Sequence, residues 1–379
     1  MPLFARRYDT STPVAFEIAQ GRLLRCEPLR EADAAATLPW LTPGWVDLQV
    51  NGYGGVEFSS PDLTVEKVRA VVTQMRAQGA VRFLPTVTTQ AAEVILAALR
   101  TIATACDTDS FIARHAVGIH LEGPYISAAD GPRGAHRREF CRPPDWSEFE
   151  QFQQASGNRI RLVTLSPEYA ESIEFIRRAK QAGVVVSIGH TQATGDQIQA
   201  AVDAGAALST HLGNGSHGVL RRHPNYLWDQ LAADRLAASF IADGHHLPPE
   251  VVQTFVRAKG IERCILVSDL SGMAGLPPGH YQTDLCELDL LADGRLVLAG
   301  QDQLLAGASQ PLSVGIENVM RFAAVDFQSA IAMASLHPAR LLGLACPTFT
   351  PGEPADYLLV RRGEAATGAR IQIEAILDG

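Results

Sequence analysis

The chain reads as an α/β protein: a (β/α)8 barrel of the TIM type with a small β-sandwich domain formed by both termini. Three observations predict it. From about residue 44 onward, eight short apolar, β-branched runs alternate with longer amphipathic ones, as strands buried between helices do. The two ends of the chain carry strand patterns without such helices. Finally, 379 residues accommodate one barrel of about 250 residues plus an accessory piece.

Near the N-terminus, residues 14–18, a turn at Gly21 and residues 23–26 make a hairpin. The barrel strands follow at 44–50, 81–88, 116–122, 160–166, 184–190, 206–211, 237–243 and 264–269. Between them, residues 65–78 place Val65, Val68, Val72 and Met75 on one helical face, and residues 169–182 form a helix that Gly183 stops. Residues 281–300 hold an Ala292-Asp293-Gly294 turn between apolar runs, a hairpin elaborating the loop after the eighth strand. Residues 356–360 and 369–376 are two closing strands, placed to meet the first hairpin because chain termini often lie close together. The β domain is therefore expected from 1–42 and 342–379, and the barrel from 43–341.

Composition excludes several classes of protein. With 46% hydrophobic and 19% charged residues the chain is globular rather than disordered. No apolar run reaches the roughly 18 residues a spanning helix needs; residues 92–105 come nearest and are broken by Arg100. A net charge of −9 weighs against nucleic acid or an anionic membrane as partner, while leaving room for a local basic pocket. The six cysteines, Cys26, Cys106, Cys141, Cys264, Cys286 and Cys346, form no Cys-x-x-Cys and fit reduced thiols in the cytoplasm. Residues 1–19 lack the apolar core of about 7–15 residues and the cleavage site of an export signal.

In such a barrel the reactive groups collect at the C-terminal ends of the strands. Glu122 ends the third strand, His190 the fifth, His211 the sixth and Asp269 the eighth, with His246 just past the seventh. Two histidines and a carboxylate are the usual three-ligand set of a catalytic zinc site, the fourth position being left for water or substrate. No His-Glu-x-x-His is present, so the inference is positional, and any single histidine reads equally well as a hydrogen-bonded barrel residue. Glu122 is harder to explain that way, because burying an unpaired carboxylate is costly. Asp269 suits a general base that takes a proton from activated water and later returns it to a leaving group; capping the next segment or a further ligand role are the alternatives. His246 is placed to polarise a substrate carbonyl, and on spacing His245 is its equal. His120 shares a strand face with Glu122 and is expected to orient it. No P-loop and no Gly-x-Ser-x-Gly elbow is present, Gly52-Tyr53-Gly54-Gly55 reads as a turn near the site, and His280 and His337 have no legible partner.

These residues sit in an ordered set of motifs: Pro43-Gly44-Trp45-Val46-Asp47, Gln49-Val50-Asn51-Gly52, Phe83-Leu84-Pro85-Thr86, His120-Leu121-Glu122-Gly123-Pro124, Gly189-His190-Thr191, Thr210-His211-Leu212, Ile241-Ala242-Asp243-Gly244 and Ser335-Leu336-His337-Pro338-Ala339-Arg340. From Pro43 to Arg340 the set resembles the N-acetylglucosamine-6-phosphate deacetylases of the amidohydrolase superfamily. The resemblance implies one divalent metal ion held by Glu122, His190 and His211, with Asp269 as the catalytic acid–base group. Many amidohydrolases bind a second metal through a His-x-His on the first strand; Gln49-Val50-Asn51 stands there, so one ion per site is expected. Zinc is favoured by ligand type, and iron, cobalt or manganese would accept the same set.

His136, in Gly134-Ala135-His136, resembles the family's substrate-binding Gly-Thr-His. Asn214, Gly215 and Arg222 fall where the family holds the substrate phosphate, the Arg reaching across a homodimer interface; Arg221 and Arg222 read alone could equally be solvated charges. Two departures line the sugar pocket. The family's Phe/Tyr-Asn-Ala-Met is Gly213-Asn214-Gly215-Ser216 here, and its Asp-Ala after the eighth strand is Asp269-Leu270. The leading expectation is hydrolysis of N-acetylglucosamine 6-phosphate to acetate and glucosamine 6-phosphate, with His246 helping to stabilise the oxyanion. A related amidohydrolase acting on another N-acyl amino sugar or an unphosphorylated amide is the second reading. A catalytically silent sugar-phosphate-binding barrel is the third, and retention of Glu122, His190, His211 and Asp269 together argues against it.

Overall fold

The computed structural model describes residues 2–29, 38–283, 286–301, 305–363 and 371–378. Eight parallel strands follow one another around a barrel: β1 (Val46–Val50), β2 (Arg82–Thr88), β3 (Ile119–Glu122), β4 (Ile160–Leu165), β5 (Val185–Ile188), β6 (Leu208–Ser209), β7 (Ala237–Phe240) and β8 (Cys264–Leu266). Each is hydrogen-bonded to the next in sequence, the simplest order that short right-handed βα connections permit. The ring closes just past β8, where Asp269 N donates to Gln49 O at 3.1 Å and Asn51 N to Leu270 O at 2.7 Å.

All eight expected strands are present, but several stop short of their expected ends. Residues 184–190 pair only as Val185–Ile188, 206–211 only as Leu208–Ser209, 237–243 only as Ala237–Phe240 and 264–269 only as Cys264–Leu266. Three of the residues left out, His190, His211 and Asp269, have φ of +49°, +28° and +54°, a region that takes the backbone out of the ladder.

Alternation sorts the interior into layers. Leu84, Leu162 and Leu208 belong to an apolar cluster with Val46, Leu48 and Ile265. Two residues further along their strands stand Thr86, Thr164 and Thr210, buried like His120 and Ser187. Outside, the helix Val65–Ala77 turns Val68, Val72 and Met75 inward, starts with Thr64 accepting from Lys67 N, and gives way to Gly79 at φ +86°. The helix expected at 169–182 is observed as Ser172–Gln181, followed by Gly183 at φ +76°.

The terminal strands meet as expected. They do so in one sheet of six hydrogen-bonded strands, separate from the barrel, in the order Ile371–Asp378, Asp356–Arg362, Trp40–Pro43, Leu3–Arg7, Pro13–Ala19 and Arg22–Pro28. The covering layer comes from the barrel side, because Phe16, Leu41, Tyr357 and Leu358 share a core with Ile316, Val319 and Ile331. Ion pairs fasten the sheet at its rim, Arg114 to Asp356 at 2.8 Å and Arg76 to Asp378. Part of the strand expected at 369–376 lies outside the described residues, as do residues 284 and 285 of the expected 281–300 hairpin. That hairpin is observed inside a three-stranded antiparallel sheet, Gly279–Gln282, Glu287–Leu290 and Leu296–Leu298, turning where Leu291 N donates to Arg295 O. No described helix is long and apolar enough to cross a membrane.

Candidate active site

A cavity of about 350 Å³ opens at the C-terminal ends of the strands, and Glu122, His136, His190, His211, Asn214, Gly215, His246 and Asp269 all line it. The inward face of each strand carries its last residues to this rim, so groups far apart in sequence converge. A wider cleft of about 750 Å³ lies by the strand starts, but its arginines are already engaged: Arg159 with Asp107, Arg161 with the Leu342 carbonyl.

Three groups form the centre. Glu122 Oε1 lies 2.9 Å from His211 Nε2 and 3.3 Å from His190 Nε2, and the two nitrogens are 3.0 Å apart. His190 Nδ1 faces the Pro132 carbonyl at 2.8 Å; a carbonyl only accepts, so the neutral ring carries its proton on Nδ1 and presents a lone pair at Nε2. That lone pair and the carboxylate oxygen then lie side by side with His211 Nε2 near both, and one proton on His211 Nε2 cannot satisfy them as a divalent cation would. His211 Nδ1 is buried without a protein partner. His136 Nε2 lies 3.4 Å from His190 Nε2, and Glu122, His136 and His190 also offer atoms within 4.8 Å of one another. A carboxylate with neutral imidazoles fits zinc and its first-row neighbours. Burial works to raise the Glu122 carboxyl, but the hydrogen bonds of His190 and His211, with their charge whenever those rings are protonated, outweigh it and hold the group well below the carboxylate range. His136 is pushed down to about 3, chiefly by burial, and is neutral at working pH.

The positive φ values of His190, His211 and Asp269 belong to this centre. A non-glycine residue is strained there, and three such residues at one cavity mark backbone bent to aim side chains. Around them stand two amides whose role the sequence did not disclose. Gln49 Nε2 donates to Glu122 Oε1 at 2.8 Å, and Asn51 Nδ2 donates to Asp269 Oδ1 at 2.8 Å. Burial and the nearby Glu122 charge push the Asp269 carboxyl up to about 6. Beyond the seventh strand, Asp243 Oδ1 accepts from the backbone N–H of His245 and His246, and its Oδ2 lies 2.8 Å from His246 Nδ1. That separates two histidines which spacing could not: both line the cavity, but only His246 has its ring fixed by a carboxylate.

The remaining candidate residues are placed as follows. His120 is not hydrogen-bonded to Glu122; its ring points into the barrel, where it meets the Leu48 carbonyl of β1 at 3.1 Å and Thr164 Oγ1 of β4 at 2.8 Å. Arg222 is exposed and outside the cavity of its own chain, whereas Asn214 lines it with a buried, unpartnered Nδ2. His337 Nδ1 meets the Cys264 carbonyl at 2.9 Å, and His280 pairs with Asp289, so both have structural partners. A trace of the missed residues was present in the sequence: Gln49 and Asn51 occupy alternate positions at the first strand's end, and Asp243 precedes His246 by three.

Residues 40–367 match the amidohydrolase family. Among curated relatives, the chain is 32% identical over 354 residues to an N-acetylgalactosamine-6-phosphate deacetylase of Escherichia coli O157:H7, covering 91% of this chain and 90% of that one. It is 30% identical over 338 residues to an N-acetylglucosamine-6-phosphate deacetylase of Bacillus subtilis (strain 168), covering 88% and 84%. Among solved structures, the N-acetyl-D-glucosamine-6-phosphate deacetylase of Mycobacterium smegmatis superposes with a TM-score of 0.87 at 27% identity, covering 100% of this chain and 99% of that one.

Proposed function

Because the chain belongs to the amidohydrolase family, among its N-acetylglucosamine-6-phosphate deacetylases, we propose that it hydrolyses N-acetylglucosamine 6-phosphate to acetate and glucosamine 6-phosphate. It is a metal-dependent hydrolase of amide C–N bonds. The observation that carries the reading is the approach of Glu122 Oε1, His190 Nε2 and His211 Nε2 to within 3.3 Å, in a cavity also lined by an Asp269 whose carboxyl is held by Asn51.

Glu122, His190 and His211 would hold one divalent ion, zinc by preference, with iron, cobalt or manganese also suited to the donor set. The ion supplies Lewis acidity, which lowers the pKa of water and polarises an amide carbonyl. Gln49 and Asn51, where a second ion would need imidazoles, instead orient Glu122 and Asp269. With one oxygen held by Asn51, Asp269 uses the other to take a proton from the attacking water as its oxygen bonds to the acetyl carbon. His246, anchored through Nδ1–H to Asp243, donates from Nε2 to the carbonyl oxygen as that oxygen gains charge. Asp269 then returns the proton to the sugar nitrogen as the C–N bond breaks, and acetate and the amino sugar phosphate leave.

His136 lines the substrate side of the centre. Asn214 Nδ2, buried and unpartnered, and the Gly215 N–H are assigned to the phosphate; Arg222 would complete that site from the second copy of a homodimer. The six thiols, all unpaired, support a cytoplasmic setting. The catalytic unit is taken as residues 43–341, with 1–42 and 342–379 as its β domain.

One second reading has a specific support. The relative matched over 91% of this chain acts, by its name, on the galactosamine epimer, and the Gly213–Ser216 segment departs from the family. Acetate release from both N-acetylhexosamine 6-phosphates and from their unphosphorylated forms, with metal content measured on the same sample, tests both. A kcat/KM highest for the glucosamine epimer supports the main reading; preference for the galactosamine epimer replaces it with the second, and indifference to phosphate removes the phosphate site.

A further inference from the structure

Beneath the Glu122, His190 and His211 centre runs a chain of buried polar side chains. Ser187 Oγ lies 2.5 Å from Thr210 Oγ1, Thr210 Oγ1 lies 2.7 Å from Thr164 Oγ1, Thr164 Oγ1 lies 2.8 Å from His120 Nε2, and His120 Nδ1 lies 3.1 Å from the Leu48 carbonyl. Only one proton arrangement satisfies all of them. The Leu48 carbonyl can only accept, so His120 carries its proton on Nδ1 and its Nε2 accepts from the Thr164 hydroxyl. The Thr164 oxygen must then accept from Thr210, and Thr210 from Ser187. Each hydroxyl therefore donates to the next member of the chain, from Ser187 on β5 through Thr210 beyond β6 and Thr164 on β4 to His120 on β3.

These residues are buried at relative exposures of 4% or less, where hydroxyls and an imidazole cost more than the Leu and Val that fill the layer below. Their placement accounts for that expense. His120 stands two residues before Glu122 on β3, Ser187 three before His190 on β5, and Thr210 immediately before His211. Leu48 immediately precedes Gln49, whose amide donates to Glu122. Every strand that delivers a group to the centre is thus tied to another strand by a directed hydrogen bond just below that group. Only Thr164, on β4 between them, delivers nothing to the centre, and its hydroxyl joins the two halves of the chain.

We propose that this chain is the device that sets the spacing of the cation-binding groups, with Thr164 as a positioning residue whose side chain is hydrogen-bonded to none of them. Partners that orient ligands without touching the ion typically govern affinity by about 10- to 100-fold when removed. The proposal rests on the cation reading of the centre given above.

The test uses the full chain stripped of metal and titrated with Zn²⁺ against a chromophoric chelator. Thr164→Val keeps the shape and breaks the chain; Thr164→Ser keeps the hydroxyl and loses only a methyl. The expected result is a Zn²⁺ dissociation constant raised about 10- to 100-fold in the Val variant and unchanged in the Ser variant. Thermal unfolding of the metal-free proteins shows whether both fold. Unchanged affinity in Thr164→Val overturns the proposal, and so does an equal loss in both variants, which would make the methyl packing the cause. Should Thr164→Val not fold, Ser187→Ala at the start of the chain carries the same test: weaker binding supports the proposal, and wild-type affinity overturns it. A wild-type protein that binds no divalent ion defeats the cation reading itself, an outcome distinct from the others.

Discussion

Replacing Asp243 by Asn tests how His246 is made into a donor. Asp243 Oδ1 accepts the N–H of His245 at 2.8 Å and of His246 at 2.9 Å, while Oδ2 lies 2.8 Å from His246 Nδ1, and both side chains are largely buried. Burial alone would raise this carboxyl; the bond and charge of His246, helped by the two backbone N–H groups, hold it down at about 2 against an ordinary 3.8. That difference corresponds to about 2 kcal/mol favouring the charged carboxylate beside the ring. An Asn here keeps its oxygen for the two backbone donors and turns its NH2 toward Nδ1, which must then accept. The ring then keeps only its Nε2 proton, so the positive charge that Asp243 supports is lost just as the carbonyl oxygen becomes negative. Losing about 2 kcal/mol in the transition state lowers kcat/KM about 30-fold, and the loss should fall on kcat rather than KM.

Acetate release measured across pH, with the imidazole nitrogen shifts of His246 recorded on the same protein, reads both effects. A variant within about twofold of wild-type kcat, with Nδ1 still protonated, would refute the assigned role. Stability gives a second check. The folded carboxyl titrates below the unfolded one, so between those values the unfolded chain binds more protons. The stabilisation is therefore complete above about pH 4 and is lost as pH falls through about 2, and the stability advantage over Asp243→Asn should vanish across that window.

Asp269→Asn should keep bound metal while turnover falls by a factor of about 10² to 10⁴; wild-type turnover with this variant would reassign the proton transfer. Arg222→Ala should raise KM for the phosphorylated sugar about 10- to 100-fold and leave the unphosphorylated sugar unaffected, the value of a charge-assisted bond to phosphate, and an unchanged KM would remove the residue from the phosphate site. Phe149→Ala empties a fully buried position whose ring packs against Trp146 and Phe175 at 5.2 and 5.1 Å, and should cost about 3–5 kcal/mol in urea unfolding; a change below about 1 kcal/mol would contradict that packing.

Much of the site was legible because a parallel barrel makes strand ends equivalent. Once eight runs are recognised, Glu122, His190, His211 and Asp269 are assigned to one rim without any knowledge of contacts. What the sequence concealed are pairings between residues far apart in the chain. Gln49 and Glu122 are 73 residues apart, Asn51 and Asp269 218 apart, and nothing in either local pattern announces the other. His120 shows the converse error: a two-residue period places it on the face of Glu122, but the ring reaches sideways to β1 and β4 instead. Strand ends were overestimated for a related reason, since apolar runs do not reveal where φ turns positive and pairing stops.

The sequence by itself determined the alternation of strands and helices, the meeting of the termini and the chemical kinds of group available at the rim. These follow from periodicity and residue type, which are local properties. Only the tertiary structure decided the states of those groups. It puts the His190 proton on Nδ1 through the Pro132 carbonyl, holds the ring of His246 and not that of His245 against Asp243, and leaves Arg222 on the surface of its own chain. A tautomer, a buried charge and the reach of a side chain depend on what stands within about 3 Å, and in this barrel those neighbours come from other strands.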